Sequence, residues 1–299
     1  MAAVTEIRVT APLALADDIT ALFYEAEWPF QEADQGTLDP PPAGQIRYHL
    51  FIDPAERDEV LGTLRESLDL PAGAVAVLER DDAEWRDAWK RAFHTRRIGR
   101  FAIVPSWESA AHQEAPGEVT LHLDPGRAFG TGGHASTRLC LAYLDRLLSP
   151  SSSPSPAGLQ VLDVGCGCGV LAIAALRSGA ERAIAIDIDP EAIEVTQENA
   201  VRNGVDSRLV CETTPLGLVP GTFGLILANV TGPTLNNLAE ALVKHLGPGG
   251  SLVLAGLLAS EAPGLMARFT ALGLLPGDPP QLGDDEDREW LALLLRRPA

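Results

Sequence analysis

The chain has few cysteines, and their pattern fits neither a metal centre nor a disulfide framework. Only Cys140, Cys166, Cys168 and Cys211 occur in 299 residues. Their spacing lacks the repeated CxxC pairs of structural zinc sites and the dense pattern of small secreted domains. We therefore predict a protein that binds no metal and works in a reducing compartment.

Long hydrophobic runs are also absent from the sequence. No stretch approaches the roughly 20 apolar residues that a membrane-spanning helix requires. The first residues do not combine a basic start with an apolar segment, as a secretory signal peptide would. These absences predict no membrane association and a cytoplasmic location.

Positive charge is scarce. The chain has 23 Lys and Arg against 41 Asp and Glu, a net charge of −18. Residues 1–70 hold fourteen acidic residues and four arginines, a net charge of −10, and contain no cofactor motif. An acidic surface repels phosphate backbones and attracts basic partners, although it can also serve solubility alone. We predict a separate recognition domain for a basic partner and no sequence-specific binding of nucleic acid.

The hydrophobic pattern after residue 159 alternates between short apolar runs and helical periodicity. Such alternation predicts an α/β fold with a doubly wound, mostly parallel sheet. The predicted strands cover 161–164, 183–188, 225–228, 252–255 and 290–295, and the predicted helices lie near 169–178, 190–203 and 233–246.

The earlier part of the chain has the pattern of a smaller α+β domain. Two strand–helix units and a third strand suggest a ferredoxin-like layer. Further strands are predicted at 98–105 and 119–123. We predict a recognition domain over 1–72, a linker with a helix over 73–97 and a cofactor-binding domain over 98–299. The strands of the small domain are expected at 6–10, 46–52 and 75–78, and its helices at 15–27 and 54–68.

A glycine-rich loop follows the first strand of the predicted parallel sheet. Gly165, Gly167 and Gly169 have the spacing GxGxG, which differs from the GxGxxG of dinucleotide-binding folds. Glycines let the backbone approach a ligand closely. Asp163 precedes the loop and Asp187 ends the next strand, where a ribose diol would be held. Acids beside the loop favour a cationic cofactor over a phosphate-bearing one, although both could simply cap helices.

This part of the chain resembles a known class of enzymes. Residues 161–169 resemble motif I of class I S-adenosylmethionine-dependent methyltransferases, and residues 185–190 resemble the acidic motif that follows it. In that class the glycine loop lies against the methionine part of the cofactor, and the acid at the position of Asp187 holds the ribose. The resemblance implies S-adenosylmethionine as the cofactor, bound by Asp163, Gly165, Gly167, Asp187, Ile188 and Asn229.

A more specific resemblance lies upstream. Residues 124–138 are similar to the signature of the ribosomal protein L11 methyltransferase (PrmA) family, a glycine-rich turn placed to close over the cofactor. Ser136 stands where the family has a threonine, and Cys168 replaces the usual Ser or Thr of motif I. Both changes keep a small side chain. The resemblance adds Phe129, Gly130, Thr131, Gly132 and Thr137 to the implied cofactor-binding residues.

Asn229 and His134 are the candidate catalytic residues. Asn229 ends the predicted fourth strand and offers both a donor and an acceptor. It lacks the following prolines and aromatic residue of adenine methyltransferases, which argues against a flipped base as substrate. The family implies that it contacts the cofactor or orients an amine, and a capping role is the alternative. His134 could act as a general base because free imidazole titrates near neutral pH, or it could contact the cofactor or hold the loop.

The resemblance implies a protein methyltransferase that modifies lysine side-chain amines and the N-terminal amine of a basic ribosomal protein, L11. We expect it to be a monomer. Two other functions stay open: a methyltransferase of the same fold that acts on another protein or a small molecule, and a non-catalytic cofactor-binding module for ribosome assembly.

Overall fold

The computed structural model describes residues 4–26, 28, 30–33, 41–42, 44–80, 94–124, 133–149, 156–283 and 289–299. The chain divides into two compact units, residues 1–93 and 94–299. The predicted cofactor contacts Phe129, Gly130, Thr131 and Gly132, and most of the predicted linker helix, lie outside the described residues. No helix in the described part is long and apolar enough to span a membrane.

The first unit has ferredoxin-like topology, as predicted. Its antiparallel sheet has the strand order β2-β3-β1-β4, and β4 pairs with β1 although it begins inside the predicted linker. Alternate residues of β3, such as Tyr48 and Leu50, pack in one core with Phe23 and Leu64 of the helices. The elements are β1 (Val4–Pro12), α1 (Ala16–Glu25), β2 (Phe30–Ala33), β3 (Gln45–Ile52), α2 (Arg57–Ser67) and β4 (Val75–Arg80).

The second unit begins with a small three-stranded sheet that differs from the prediction. Instead of one strand over 98–105, the structure has a hairpin of β5 (Arg96–Ile98) and β6 (Phe101–Val104), and β6 pairs in parallel with β7 (Val119–His122). The turn falls at Gly99, whose φ is +56° and where a Cβ would lie 2.2 Å from an oxygen of Asp145. The single-strand prediction was wrong because the apolar pattern continues across a turn that only this glycine reveals.

The main sheet is doubly wound, with the strand order β10-β9-β8-β11-β12-β15-β13 and β14 paired to β15. The pairs from β10 to β12 are parallel, and β15 is antiparallel to β12. The strands are β8 (Gln160–Val164), β9 (Arg182–Ile186), β10 (Leu209–Glu212), β11 (Phe223–Asn229), β12 (Leu246–Leu258), β13 (Leu275–Pro276), β14 (Gln281–Leu282) and β15 (Trp290–Arg296). The helices are α3 (Ala135–Leu147), α4 (Val170–Arg177), α5 (Pro190–Arg202), α6 (Gly232–His245) and α7 (Ala262–Ala271).

Both faces of this sheet are covered, which explains the continuous apolar runs. In β11, Leu225 and Leu227 belong to one hydrophobic core, whereas Ile226 and Ala228 belong to the core on the opposite face. The strand order reverses between β8 and β11. Ligands of doubly wound sheets bind outside the carboxyl ends of the strands at such a reversal. The fold therefore places a crevice at the ends of β8, β9 and β11.

Candidate active site

A cavity of about 710 Å³ lies at this reversal of the sheet. The glycine loop, the end of β9, the end of β11 and the beginning of α3 contribute to its lining. Of the predicted site residues, the structure brings His134, Thr137, Gly165, Gly167, Asp187, Ile188 and Asn229 to this one cavity.

The glycine loop is held in a conformation that requires glycine. Gly165, Gly167 and Gly169 have φ angles of 73°, 54° and 79°, in the left-handed region that other residues rarely adopt. The amide nitrogen of Gly165 donates to the carbonyl oxygen of Ile186 at 2.8 Å, which ties the loop to β9. A Cβ at Gly165 would lie only 2.4 Å from the side chain of Val230. The loop therefore has space for hydrogen but not for methyl at this position.

Asp187 is fixed at the cavity by two backbone amides. Its Oδ2 accepts from the nitrogen of Gly167 at 2.9 Å, and its Oδ1 accepts from the nitrogen of Asp189 at 3.1 Å. The N-cap of α5 is Asp189, whose Oδ1 accepts from the nitrogen of Glu191 at 2.9 Å. Capping of the helix thus falls to Asp189, and the carboxylate of Asp187 borders the cavity. Ile188, which is 97% exposed, also lines the cavity.

Asp163 lies beneath the loop and does not border the cavity. It is completely buried, and its Oδ2 accepts from the nitrogen of Ala172 in the first turn of α4 at 3.0 Å. Gly169, the N-cap of α4, has no side chain with which to cap it, so Asp163 supplies the oxygen from six residues earlier. Burial raises the pKa of Asp163 to about 7, and the nearby charge of Asp187 adds to the shift. Asp163 therefore caps α4, which is the role predicted as the alternative to cofactor binding.

Asn229 lines the cavity at the end of β11, the strand next to β8. Its Nδ2 donates to the hydroxyl oxygen of the buried Thr137 at 3.3 Å. Its Oδ1 is buried and has no hydrogen-bond partner among the described residues. A Cβ on Gly256, which has φ +77°, would lie 3.1 Å from this oxygen and 2.7 Å from the carbonyl oxygen of Val230. The bond to Thr137 thus orients the Asn229 carboxamide, and its Oδ1 is the acceptor that lacks a partner among the described residues.

His134 is the N-cap of α3. Its Nδ1 accepts from the nitrogen of Ser136 at 3.3 Å and lies 2.8 Å from the Ser136 hydroxyl. The ring meets Trp290 edge to face, with 4.5 Å between the ring centroids. Because Nδ1 is engaged by the start of the helix, the contacts of His134 are those of a residue that holds a loop in place.

Several cavity residues had no recognisable signal in the sequence. Trp290 was predicted only as the start of a strand, and Gly256 was not singled out. The segment 213–216 follows β10, a strand that was not predicted, so its place at the cavity could not be inferred. Its only available signal was its position after the short run Leu209–Glu212, in which Val210 alone is β-branched, and this is weak evidence for a strand.

The cysteines near the cavity have no nucleophilic role in this geometry. Cys166 lines the cavity, and burial raises the pKa of its thiol above the ordinary value. Burial likewise raises the pKa of Cys168 to about 12. Both thiols therefore stay protonated at neutral pH, and a thiol is a poor nucleophile. The described residues contain no group of three or more potential metal ligands.

The comparisons with known proteins agree with this architecture. A sequence profile of the family described as "Ribosomal protein L11 methyltransferase (PrmA)" matches residues 29–297. A ribosomal protein L11 methyltransferase of Geobacter metallireducens is 37% identical over 269 residues, which cover 86% of this chain and 83% of the relative. The corresponding protein of Sorangium cellulosum is 37% identical over 310 aligned residues, covering 98% and 95% of the two chains.

A solved structure supports the same assignment. The ribosomal protein L11 methylase of Lactobacillus delbrueckii subsp. bulgaricus aligns with a TM-score of 0.60 and 30% identity, over 69% of this chain and all of that one. The profile match and the relatives together show the family and confirm the predicted enzyme class, fold and cofactor. The chain is a class I S-adenosylmethionine-dependent methyltransferase and belongs to the ribosomal protein L11 methyltransferase (PrmA) family.

Proposed function

We propose that this chain methylates amines of ribosomal protein L11, namely lysine side chains and the N-terminal amine. Family membership supports the substrate. The observation that carries the chemistry is the cavity itself, which joins a fixed carboxylate, Asp187, to the unsatisfied carboxamide oxygen of Asn229. The first suits the ribose of the cofactor, and the second suits an N–H donor.

The residues of the cavity fit the cofactor. Asp187 would accept hydrogen bonds from the ribose hydroxyls, and the exposed side chain of Ile188 offers apolar contact beside it. Gly165 and Gly167 would lie against the methionine part, and the family resemblance adds Phe129–Gly132 and Thr137. When bound, the cofactor supplies a methyl group made electrophilic by a positively charged sulfur.

Asn229 is the residue best placed to orient the acceptor amine. A carboxamide oxygen accepts an N–H hydrogen bond but takes up no proton near neutral pH. A free lysine amine has a pKa of about 10.4 and must lose a proton before it can attack carbon. Passing that proton to water before docking suffices, so Asn229 acts by orienting the amine.

His134 acts in this proposal as a positioning residue. Nδ1 of His134 accepts from the amide of Ser136 and is therefore the ring nitrogen without a proton. A general base would use this nitrogen, and it is already engaged. The ring also packs on Trp290. His134 therefore fixes the start of α3, which carries Thr137 and, through it, Asn229.

The domain predicted over 1–72 would recognise the substrate, extended by β4 of the predicted linker because that strand pairs with β1. The rest of the segment predicted as a linker over 73–97 would join it to the catalytic domain predicted over 98–299. Support comes from the charge of the small unit: Asp53, Glu56, Asp58, Glu59, Glu66 and Asp69 are all exposed on or beside α2. Such a surface attracts a basic protein and disfavours nucleic acid. We propose a monomer that acts in the cytoplasm.

The proposal is tested by incubating purified L11 with the enzyme and S-adenosylmethionine and measuring the intact mass of L11. We expect gains in multiples of about 14 Da, one for each N–H hydrogen replaced by methyl, and peptide mapping should place them on lysines and the N-terminus. The Asp187→Ala variant serves as the control with weakened cofactor binding. An unchanged mass of L11 overturns the substrate assignment, and cofactor binding without turnover on any ribosomal fraction would indicate the non-catalytic module.

A further inference from the structure

Thr196 lies directly beneath the glycine loop, outside the cavity. It belongs to α5 and is completely buried. Its hydroxyl donates to the carbonyl oxygen of Gly167 at 2.8 Å. A Cβ at Gly169 would lie 2.6 Å from the methyl carbon of Thr196 and 2.9 Å from its hydroxyl oxygen. The threonine and the loop are therefore in tight contact.

The direction of this hydroxyl differs from that of a helix threonine that serves only its own helix, such as Thr63 of α2. A threonine inside a helix commonly donates to the carbonyl four residues earlier. Thr63 does so towards Glu59 at 3.1 Å, whereas Thr20 donates to Ala16 at 2.8 Å and also lies 2.9 Å from the hydroxyl of Tyr48 on β3. The hydroxyl of Thr196 instead donates to the carbonyl of Gly167 in the glycine loop and lies 3.5 Å from Sγ of Cys166 in the same loop. The hydroxyl thus fixes another element and leaves its own helix to the regular backbone bonds.

Gly167 is held from both ends. Its carbonyl accepts from Thr196, and its amide donates to Oδ2 of Asp187 at 2.9 Å. One turn along α5, Nδ2 of Asn199 donates to the next carbonyl of the loop, that of Cys168, at 2.9 Å. The carbonyls of Gly167 and Cys168 therefore both accept bonds from α5, and the amide of Gly167 donates to Asp187.

We propose that Thr196 is a positioning residue for cofactor binding. Its hydroxyl holds Gly167 in the conformation, with φ of 54°, that aims the amide at the carboxylate of Asp187. The carboxylate is thereby fixed before the ligand arrives. This inference rests on the proposed contact between Asp187 and the ribose of the cofactor.

The first measurement is the dissociation constant of S-adenosylmethionine for Thr196→Val, which keeps the shape of the side chain and removes the hydroxyl. We expect a five- to tenfold increase, the worth of about one hydrogen bond, and recovery of most of the affinity in Thr196→Ser. Thr20→Val is the matched control, because it loses a helix hydroxyl in the first unit and should bind the cofactor as the wild type does. If Thr196→Val does not fold, Thr196→Ala replaces it in the comparison with Thr196→Ser.

A double-mutant cycle separates positioning from a general effect on stability. Because Thr196 acts through Gly167 on Asp187, its substitution should cost little further affinity in an Asp187→Ala background. Equilibrium dialysis with labelled cofactor measures the weak affinities that this cycle requires. The inference is overturned if Thr196→Val causes the same loss of affinity in both backgrounds. It is also overturned if the wild type binds the cofactor and Thr196→Val binds it with the same dissociation constant. Both results leave the proposed function standing. A wild type that binds no cofactor overturns both the inference and the proposed function.

Discussion

The two sides of the cavity differ in how their polar atoms are satisfied. On the side of the glycine loop, Asp187 has both oxygens bonded to backbone amides, and the carbonyls of Gly167 and Cys168 are bonded to α5. On the side of β11, Oδ1 of Asn229 is buried without a partner among the described residues. The lining of the cavity is therefore satisfied by the protein at the glycine loop and holds an unpartnered acceptor at β11, although Oδ1 of Asp163, beneath the loop and outside the lining, also lacks a partner among the described residues.

This difference matches two different tasks. Groups that always meet the same cofactor gain affinity when they are held in place before it binds. A group that meets an incoming amine needs free hydrogen-bonding capacity, whereas the carboxylate of Asp187 can accept two backbone bonds and still has lone pairs for the ribose hydroxyls. The contrast leads to five predictions.

The largest effect is expected for Asp187→Ala, which removes the fixed acceptor. The cofactor would lose hydrogen bonds to a charged group, each worth about 1.5–3 kcal/mol, so the dissociation constant should rise roughly a hundredfold. Isothermal calorimetry measures it, with the exposed Asp206→Ala as control. An unchanged constant contradicts the ribose assignment.

Gly165→Ala tests whether the loop must consist of glycine. The new methyl would be forced into the left-handed region and would meet Val230 at 2.4 Å, a strain of about 1–2 kcal/mol before the clash is counted. We expect a cofactor affinity about thirtyfold lower. Adding Val230→Ala relieves the clash but not the backbone strain, so it should restore part of the loss. Full affinity in the single variant would show that the loop adapts.

Asp163→Asn tests the buried carboxyl beneath the loop by its pH dependence. The pKa is about 7 in the folded protein against an ordinary 3.8, so between these values the folded chain holds a proton that the unfolded chain releases. The contribution of Asp163 to the free energy of unfolding of the cofactor-free protein should therefore fall as the pH rises from about 3.8 to about 7. The decrease is at most about 1.4 kcal/mol per pH unit. Urea unfolding between pH 5 and 8 should show a flatter profile for Asp163→Asn, and identical profiles would refute the shift.

Asn229→Ala tests the other side of the cavity. We expect kcat/KM for L11 to fall about tenfold, the loss of one oriented hydrogen bond, with a smaller change in cofactor affinity. Asn237 is exposed on α6, so Asn237→Ala is the matched control. A loss confined to cofactor affinity would instead assign Asn229 to cofactor binding.

The smallest effect is expected at His134. Asparagine can replace the capping acceptor, so His134→Asn should keep kcat/KM within about twofold, whereas His134→Ala should cost about 1 kcal/mol of stability. The pH dependence of kcat/KM should keep its shape in both variants. If the wild-type profile changes near neutral pH and this change is absent in both His134→Asn and His134→Ala, His134 is identified as a general base.

The sequence alone determined the features that are written locally along the chain. The glycine loop, Asp187 at the end of its strand and the apolar runs of the buried strands each depend on neighbouring residues, so their spacing predicted the residues that line the cavity at the ends of β8 and β9. The hairpin at Gly99 was missed because only two residues, Gly99 and Arg100, separate Ile98 from the apolar run that begins at Phe101.

Only the tertiary structure decided which distant residues meet. The bond between Asn229 and Thr137, the packing of Trp290 on His134 and the hydroxyl of Thr196 on Gly167 join different elements. Asp163 shows the limit most clearly: its place beside the loop was evident in the sequence, but its direction into the core was not. Side-chain direction depends on the packing of neighbouring elements, and this information is absent from any local pattern.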